Sequence, residues 1–317
     1  MALLARTLAL LAVTVTTAAI KVVPLDVAQD SFHDQYWGGC RPAVILALLA
    51  LSHSEFQCPH RSLWPLPAMA PLAQTLALLA MAMATTAVDV IPLDMAPDSF
   101  DDQYQGCGPA MKEALPALIR SEFEQNKEFA DVWVKAAAEW QSRGPPESHL
   151  SPDQGTAFMA FTMSGLTSIF NDAVHVAGRS QQEYRDNFHF KTLHFLLTDA
   201  LATLRDAQDG QCRAAFLKVC GTRFEAQRGD TIRFGHFMPV FLSKQIGECP
   251  SEAMLEVHTC HGVDVTLFSK HPEPKIVLIP PFETFKVTQY TQEGDKTQIQ
   301  LQSTGTYSKY NCEWLRG

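Results

Sequence analysis

The amino-acid sequence predicts an α+β fold in which a helical part precedes a β core. From Cys107 to about Ala207, apolar residues recur at the spacing of amphipathic helices. From Ala214 onward, short runs with the composition and alternation of strands dominate the chain. Because the helices come first and the strands follow, this order favours an α+β fold over a doubly wound parallel sheet.

Three segments carry the prediction of helices. Ser151 is expected to cap a helix, because Pro152 occupies the first turn and Gln154 can reach back to the backbone of the cap. A second helix is predicted over Thr192–Asp206 and is ended by Gly210. A third segment places its large apolar residues on one helical face, which predicts that they belong to the core: Phe129, Val132, Trp133, Ala136 and Trp140.

Four segments in the second half of the chain are predicted to be strands. The last of them alternates polar and apolar residues, and Glu293-Gly294-Asp295 before it is typical of a hairpin turn. The predicted strands are Val257–Cys260, Ile276–Ile279, Phe285–Tyr290 and Thr297–Leu301.

Length and charge limit the classes of protein that fit. The chain has 317 residues, a formal net charge of −9 and 46% hydrophobic residues, which suits one large globular domain with extra N-terminal sequence. The acidic balance, without a basic stripe interleaved with aromatic residues, predicts that nucleic acid is not a partner.

The first residues have the anatomy of a secretory signal. Arg6 precedes the apolar run Leu8–Val15, and Thr17-Ala18-Ala19 offers a cleavage site, so residues 1–19 are predicted to be a signal peptide. We therefore expect a secreted, extracellular protein. The C-terminal residues lack a hydrophobic tail, which predicts that no glycolipid anchor is encoded.

The N-terminal part is duplicated. Thr7–Ala12 recurs as Thr75–Ala80, and Cys40 aligns with Cys107. Residues 20–68 are therefore predicted to be a diverged copy of the 88–124 region plus a junction, 69–87 a second signal-like segment, and 88–317 the folded domain. Whether Met1 or Met69 is the start remains open at this point.

One N-terminal stretch is long enough to span a bilayer. Ser62–Val88 contains no charged residue, but its prolines and Gln74 favour a signal-type run. Membrane association is therefore not expected.

Several motifs of the second half carry a family resemblance. They are Asn187–Phe195, Arg223-Phe224, Gln227–Phe237 and Val277–Pro280. With these motifs the chain resembles, from about Ala87 to its last residue, the vertebrate ecto-type NAD-dependent protein-arginine mono-ADP-ribosyltransferases. The resemblance implies two packed sheets with an NAD cleft after a helical part. It also implies NAD or NADP as co-substrate and arginine-bearing proteins as acceptors.

The positions at which that family carries its catalytic residues are occupied differently in this chain. The family's arginine corresponds to Leu217, its serine to Val240, and the two glutamates of its Glu-x-Glu to Pro274 and Ile276. None of these side chains has a charge or a hydroxyl group. Lys218 follows Leu217 and is expected to be an outward, solvated lysine.

Two polar residues on the expected cofactor side remain. The resemblance implies an NAD contact for Ser269, and His236 takes the place of a family glutamine. The competing interpretations are a surface hydroxyl at a strand end for Ser269 and a strand histidine without function for His236.

Eight cysteines in a chain with a secretion signal predict a disulfide framework. The resemblance implies the pairs Cys107–Cys312 and Cys212–Cys260. Four cysteines are left without a partner by this argument, and Cys40 would compete with Cys107 if the first copy is retained: Cys40, Cys58, Cys220 and Cys249.

A metal site is not expected. His258, Cys260 and His261 suggest one, but alternating strand residues and a cysteine assigned to a disulfide make a poor tetrahedral set.

Three interpretations of function follow from the sequence. The first is a transferase in which a compensating residue such as Glu273 acts. The second is a binding or decoy relative that keeps the fold without the chemistry. The third is a decaying gene copy. The losses at the catalytic positions favour impaired activity.

Overall fold

The computed structural model describes residues 89–143, 150–163, 165–247, 249, 251–269 and 274–316. The predicted signal peptide, the duplicate, the second signal-like segment and both candidate start residues lie outside the described residues, and so does Glu273. The predicted domain boundaries therefore stay predictions.

Helices make up the first half of the described chain, as predicted. The predicted capping box at Ser151 is confirmed, because its hydroxyl accepts the amide of Gln154 and its own amide donates to Gln154 Oε1 over 2.7 Å. The helices are α1 (Gly108–Gln125), α2 (Lys127–Arg143), α3 (Pro152–Phe161), α4 (Leu166–Ala177), α5 (Gln181–Asn187) and α6 (Lys191–Ala207).

Strands follow the helices, which confirms the α+β prediction. The predicted strand at Ile276–Ile279 has the predicted bounds, and the strands predicted at Phe285–Tyr290 and Thr297–Leu301 extend beyond theirs at both ends. The strand predicted at Val257–Cys260 begins earlier, at Glu252, and ends one residue before Cys260. The strands are β1 (Asp89–Pro92), β2 (Arg213–Cys220), β3 (Thr222–Glu225), β4 (Thr231–Ile232), β5 (Met238–Phe241), β6 (Glu252–Thr259), β7 (Val263–Asp264), β8 (Ile276–Ile279), β9 (Glu283–Glu293) and β10 (Lys296–Thr306).

The main sheet has eight strands in the order β4-β9-β10-β6-β2-β5-β8-β7, and β1 pairs with β3 in parallel outside it. A single residue pair, Phe216↔Phe241, joins β2 to β5. The five strands on one side of this pair and the three on the other correspond to the two sheets that the resemblance implied, here connected at one point.

Two hydrophobic clusters flank the sheet. The helical core joins the helices to one face of β8 and includes Phe158, Phe170, Leu197, Ile276 and Leu278. The sheet core is formed mainly by side chains of the strands and includes Leu217, Val240, Leu255, Val277 and Phe285. Alternation along β8 explains this division, since successive side chains of a strand point to opposite faces.

Buried carboxylates connect distant segments. Asp101 accepts the backbone amides of Lys309 (2.8 Å) and Tyr310 (3.0 Å), and Asp102 accepts those of Cys312 and Glu313, both over 2.9 Å. We call this region the terminal junction, because it holds the beginning of the domain against its C-terminal segment.

Two further glutamates act in the same way. Glu122 accepts the first amides of α6, those of Lys191 and Thr192. Glu283 accepts the amide of Cys260 over 2.7 Å and the hydroxyl of Ser303 over 2.7 Å. Burial raises the pKa of Glu122 and of Glu283, and these hydrogen bonds oppose the rise.

Candidate functional site

A cavity of about 490 Å³ lies where α4 approaches β1, β3 and the first residues of β5. Its walls are mainly apolar, with Ile91, Leu93, Phe224, Phe234 and Met238 among them. A largely apolar concavity with a few polar groups is the usual form of a small-molecule site. We therefore take this cavity as the candidate site.

One face of α4 supplies most of its polar groups. Five residues of this helix recur at intervals of three and four positions and line the cavity: Thr167, Ser168, Asn171, Asp172 and His175. Residues at this spacing share a helix face. The helix backbone therefore fixes the relative positions of these polar side chains.

Asn171 connects this helix to the entry of β5. Its Nδ2 donates to the carbonyl of Phe237 over 2.9 Å, and the amide of Phe237 donates to its Oδ1 over 3.2 Å. The bend before Phe237 contains Gly235 at φ +71°, where a Cβ would lie 2.4 Å from Ala96 Cβ. Only glycine fits this position without a shift of the backbone.

His236 occupies that bend and lines the cavity, where its ring lies 6.2 Å from the ring of His175. The interpretation of His236 as a strand residue was wrong, because it lies between β4 and β5. The pKa of His236 is lowered to about 4, mainly by burial and to a smaller extent by the neighbouring His175. The imidazole is therefore neutral at pH 7 and offers no cation to an anionic ligand.

Arg233 also lines the cavity, but its guanidinium is already engaged. It forms an ion pair with Asp101 and donates to the carbonyls of Met95 (2.8 Å) and Ala96 (3.1 Å). The other charged residues of the lining are the carboxylates Asp94 and Asp172. Among the described lining residues, the charged groups besides the paired Arg233 are therefore carboxylates, so the cavity offers an anionic ligand no unpaired arginine or lysine.

Leu217 and Val240 are fully buried in the sheet core, opposite Leu255 and Val277 respectively. Ile276 is 2% exposed and lies in the helical core on the other face of β8. These three positions are therefore not brought together on one surface. On β5 the residues that share the Ile276 side of the strand are Pro239 and Phe241, and neither carries a hydroxyl.

Pro274 is exposed just before β8. Lys218 is not the solvated lysine that the sequence led us to expect. Its ammonium forms an ion pair with Glu252 over 2.9 Å, and its side chain is 9% exposed. Glu252 lies directly across from Cys220 at the end of β2, within reach of the long lysine side chain. This cation is therefore occupied by a carboxylate.

Ser269 follows a 3₁₀ turn, Thr266–Phe268, and is buried, so the interpretation as a surface hydroxyl at a strand end was wrong. Its carbonyl accepts Nη1 of Arg143 over 2.8 Å. Ser269 is not among the residues that line the cavity, whereas His236 is. Of the two residues proposed for cofactor contact, His236 alone therefore lines this cavity.

Three disulfides are present among the described residues. Two are the pairs that the resemblance implied, Cys107–Cys312 and Cys212–Cys260. The third, Cys220–Cys249, was left unassigned, because neither spacing nor resemblance selects it. It joins the end of β2 to the segment before β6.

Within the described part of the chain, one group of side chains has the composition of a metal site: Cys212, His258 and Cys260, whose ligand atoms all lie within 4.8 Å of one another. The two sulfur atoms are bonded to each other in this structure. No helix in the described part is long and apolar enough to cross a membrane.

A family model described as NAD:arginine ADP-ribosyltransferase matches residues 93–309. The chain is 46% identical over 231 residues to the erythroblast NAD(P)(+)–arginine ADP-ribosyltransferase of Gallus gallus, covering 71% of this chain and 77% of that protein. It is 41% identical over 248 residues to the GPI-linked NAD(P)(+)–arginine ADP-ribosyltransferase 1 of Homo sapiens, covering 71% and 75%.

Solved structures agree with these relatives. The eucaryotic mono-ADP-ribosyltransferase ART2.2 matches with a TM-score of 0.60 at 30% identity, covering 70% of this chain and 98% of that one. A mutant of ART2.2 with isoleucine in place of a glutamate, in complex with NAD, matches with a TM-score of 0.59 at 31% identity and the same coverage.

Proposed function

We propose that this chain, which belongs to the NAD:arginine ADP-ribosyltransferase family, keeps the fold of that family and does not transfer ADP-ribose to arginine at an enzymatic rate. The family prediction is confirmed by the match over residues 93–309 and by relatives above 40% identity. The loss of activity is the proposal.

The observation that carries it is the burial of Ile276 in an apolar core. Cleavage of the nicotinamide–ribose bond passes through an oxocarbenium-like state, which a carboxylate beside the ribose stabilises. Isoleucine has no lone pair for this purpose, and its side chain packs among apolar neighbours. Pro274 likewise offers no acceptor to an incoming guanidinium.

The magnitude of the expected loss follows from how such groups act. Removing one preorganised charge-stabilising group costs about 10²–10³ in rate. Groups that act as a unit are not additive, so that removing several leaves only the background contributed by binding. Leu217, Pro274 and Ile276 together therefore predict no measurable turnover.

We propose that the affinity for NAD or NADP is low as well. In the relative ART2.2, a glutamate-to-isoleucine mutant still forms a complex with NAD. The absence of one carboxylate is therefore a weaker argument against binding than the absence of an arginine at Leu217. Lys218 does not compensate, since Glu252 already pairs with it. His236 and Ser269 remain the proposed cofactor contacts.

We also propose that the protein is secreted, with residues 1–19 or 69–87 as its signal and 88–317 as its domain. This is supported by the names of relatives, which describe GPI-linked and ecto-type enzymes. Arginine-bearing proteins are partners only if transfer activity survives.

The test of activity is an assay of the full chain with NAD and either agmatine or an arginine-bearing protein. We expect no ADP-ribosylated product under conditions in which the Gallus gallus relative gives one. Turnover comparable to that relative would refute the proposal and would point to Glu273 as the acting carboxylate.

A matched gain-of-function variant sharpens this test. It combines Leu217→Arg, Pro274→Glu and Ile276→Glu with a serine at either Pro239 or Val240. Because Pro239 shares a side of its strand with Ile276, we expect more activity with serine at Pro239 than at Val240. Circular dichroism of each variant verifies that it is folded.

Binding is tested separately by calorimetry with NAD. We expect no micromolar affinity for the natural chain, because Leu217 offers no cation and Lys218 is already paired with Glu252. Micromolar affinity in the natural chain would contradict the claim on binding and leave the claim on transfer standing.

A further inference from the structure

The side chains of Cys212, His258 and Cys260 converge on one face of the β2–β6 pair. In this antiparallel register Arg213 faces Thr259 and Ala214 faces His258, which brings Cys212 next to Cys260. His258 lies in β6 and Cys260 comes directly after its last residue, so the alternation of the strand directs both side chains to the same side. In the sequence, the alternation of these residues counted against a metal site. In the structure it brings the ligand atoms of His258 and Cys260 to the same side, which favours a metal site.

A fourth residue orients the histidine. On β10, Gln302 pairs with His258, and its side-chain amide lies 2.9 Å from His258 Nδ1. In the structure the amide nitrogen of Gln302 faces His258 Nδ1. Binding of an ion through the other ring nitrogen requires this amide to rotate by 180°, so that Gln302 Oε1 accepts Nδ1–H and the lone pair of His258 Nε2 faces the ion. An outer partner on the second ring nitrogen is the usual support of a metal-binding histidine.

The group is accessible from solvent. Cys212 is exposed, and His258 and Cys260 are half-buried. A small reductant and a metal ion can therefore reach the sulfur atoms without opening the fold. The remaining two disulfides, Cys107–Cys312 and Cys220–Cys249, hold other parts of the domain.

We propose that reduction of the Cys212–Cys260 disulfide creates a zinc site made of these two thiolates and the imidazole of His258. A phosphine reductant breaks the S–S bond, takes up the oxygen of a water molecule to become the phosphine oxide, and leaves two thiols. Each thiol releases its proton when it binds the ion. Two sulfurs and one nitrogen, with water in the fourth position, are a ligand set that suits Zn²⁺.

The consequence is that metal and disulfide exclude each other at this site. The oxidised chain has no thiolate to offer there, and the zinc-loaded chain cannot close the bond until the ion leaves. The site is independent of the cavity beside α4 and of the proposed loss of transfer activity.

Cobalt is the probe of choice, because thiolate ligands give Co²⁺ a charge-transfer band. The full chain is reduced with a phosphine, titrated with Co²⁺, and then with Zn²⁺, which should displace the cobalt. We expect one equivalent of cobalt whose band is lost in Cys212→Ser/Cys260→Ser and retained in the matched control Cys220→Ser/Cys249→Ser.

Two further variants keep the natural disulfide and test the geometry. His258→Ala should weaken binding at least about tenfold, and Gln302→Ala by about 10–100-fold, the usual effect of an outer partner. His261→Ala is the control, since His261 is outside the group. Binding that is unchanged in His258→Ala, or equal before and after reduction, would overturn the proposal. Loss of the fold on reduction would overturn it as well, because the site depends on the registered strands.

Discussion

The terminal junction and the start of β8 are both buried, but the first holds two carboxylates and the second an isoleucine. At the junction, Asp101 and Asp102 have no exposed surface and accept backbone amides of the C-terminal segment. At β8, Ile276 packs in the helical core at the position to which the resemblance assigns a glutamate. Two buried positions of this protein thus hold side chains of opposite polarity, carboxylates at one and an aliphatic group at the other.

The difference teaches where a buried carboxylate persists. Moving an ionised carboxylate out of water costs several kcal/mol unless hydrogen bonds and a cation compensate. Burial raises the pKa of Asp102, and the amides of Glu313, Tyr104 and Cys312 oppose the rise. The terminal junction supplies such donors from the fold itself. At a catalytic position the fold does not supply such donors, and a carboxylate is kept there for its role in the reaction. An apolar residue at that position packs without the free-energy cost of desolvating a charge.

Breaking the terminal junction should have the largest effect. Asp101→Ala leaves the buried guanidinium of Arg233 without its anion, and removing one partner of a buried ion pair costs about 3–5 kcal/mol. Urea unfolding of the full chain measures this loss. The control is Arg223→Ala, whose partly exposed pair with Glu225 should contribute less than about 1 kcal/mol. Equal effects of the two variants would show that burial does not decide the outcome.

A buried base extends the comparison. His194 is fully buried between Tyr104 Oη (2.8 Å) and the carbonyl of Phe100 (3.2 Å), and burial lowers its pKa to about 3. Between pH 6.5 and 3 the unfolded chain binds a proton at this residue that the folded chain does not. Stability therefore falls as the pH falls, by about 1.4 kcal/mol per pH unit from this group.

The measurement is urea unfolding of the natural chain and of His194→Gln between pH 7 and pH 4. The difference in stability between the two proteins should shrink toward acid pH, because only the natural chain loses the contribution of His194. A difference that stays constant would mean that His194 does not remain neutral in the folded protein.

The smallest effect is expected at β8. Ile276→Val removes one methylene from a packed core and should cost about 0.5–1.5 kcal/mol. The same exchange at Ile246, which is fully exposed, should change stability by less than about 0.5 kcal/mol. Thermal unfolding of both variants gives the comparison. A stabilised Ile276→Val protein would show that this position is strained rather than packed.

Local signals explain what the sequence predicted. The capping box at Ser151 and the aromatic face of α2 depend on residues within a few positions of each other. The capping box is confirmed. Three of the five residues predicted for the face are buried, and Val132 and Trp133 are half-buried and pack against the core. The strand Ile276–Ile279 is a short apolar run with a clear boundary at Pro280. Periodicity and capping are properties of a contiguous segment, so one sequence suffices to recognise them.

The site was less predictable because distant segments form it. The cavity is formed by α4, by residues before Phe100 and by the bend at His236. The spacing of residues along the chain does not predict that these three segments lie together. The pair Cys220–Cys249 and the contact of Lys218 with Glu252 depend on the order of strands in the sheet. These features follow from topology, which the sequence specified only as helices before strands.

The Cys107–Cys312 bond has a mechanical consequence. It closes a covalent ring over a sequence separation of 205 residues. A pulling force applied at Cys107 and at Cys312 runs through the sulfur bridge and leaves the helices and the main sheet between them without load. Of the described residues, only those outside the ring bear tension: residues 89–106, which include β1 and the two aspartates of the terminal junction, and residues 313–316. Under stretch, β1 should peel from β3 while the rest of the domain stays folded.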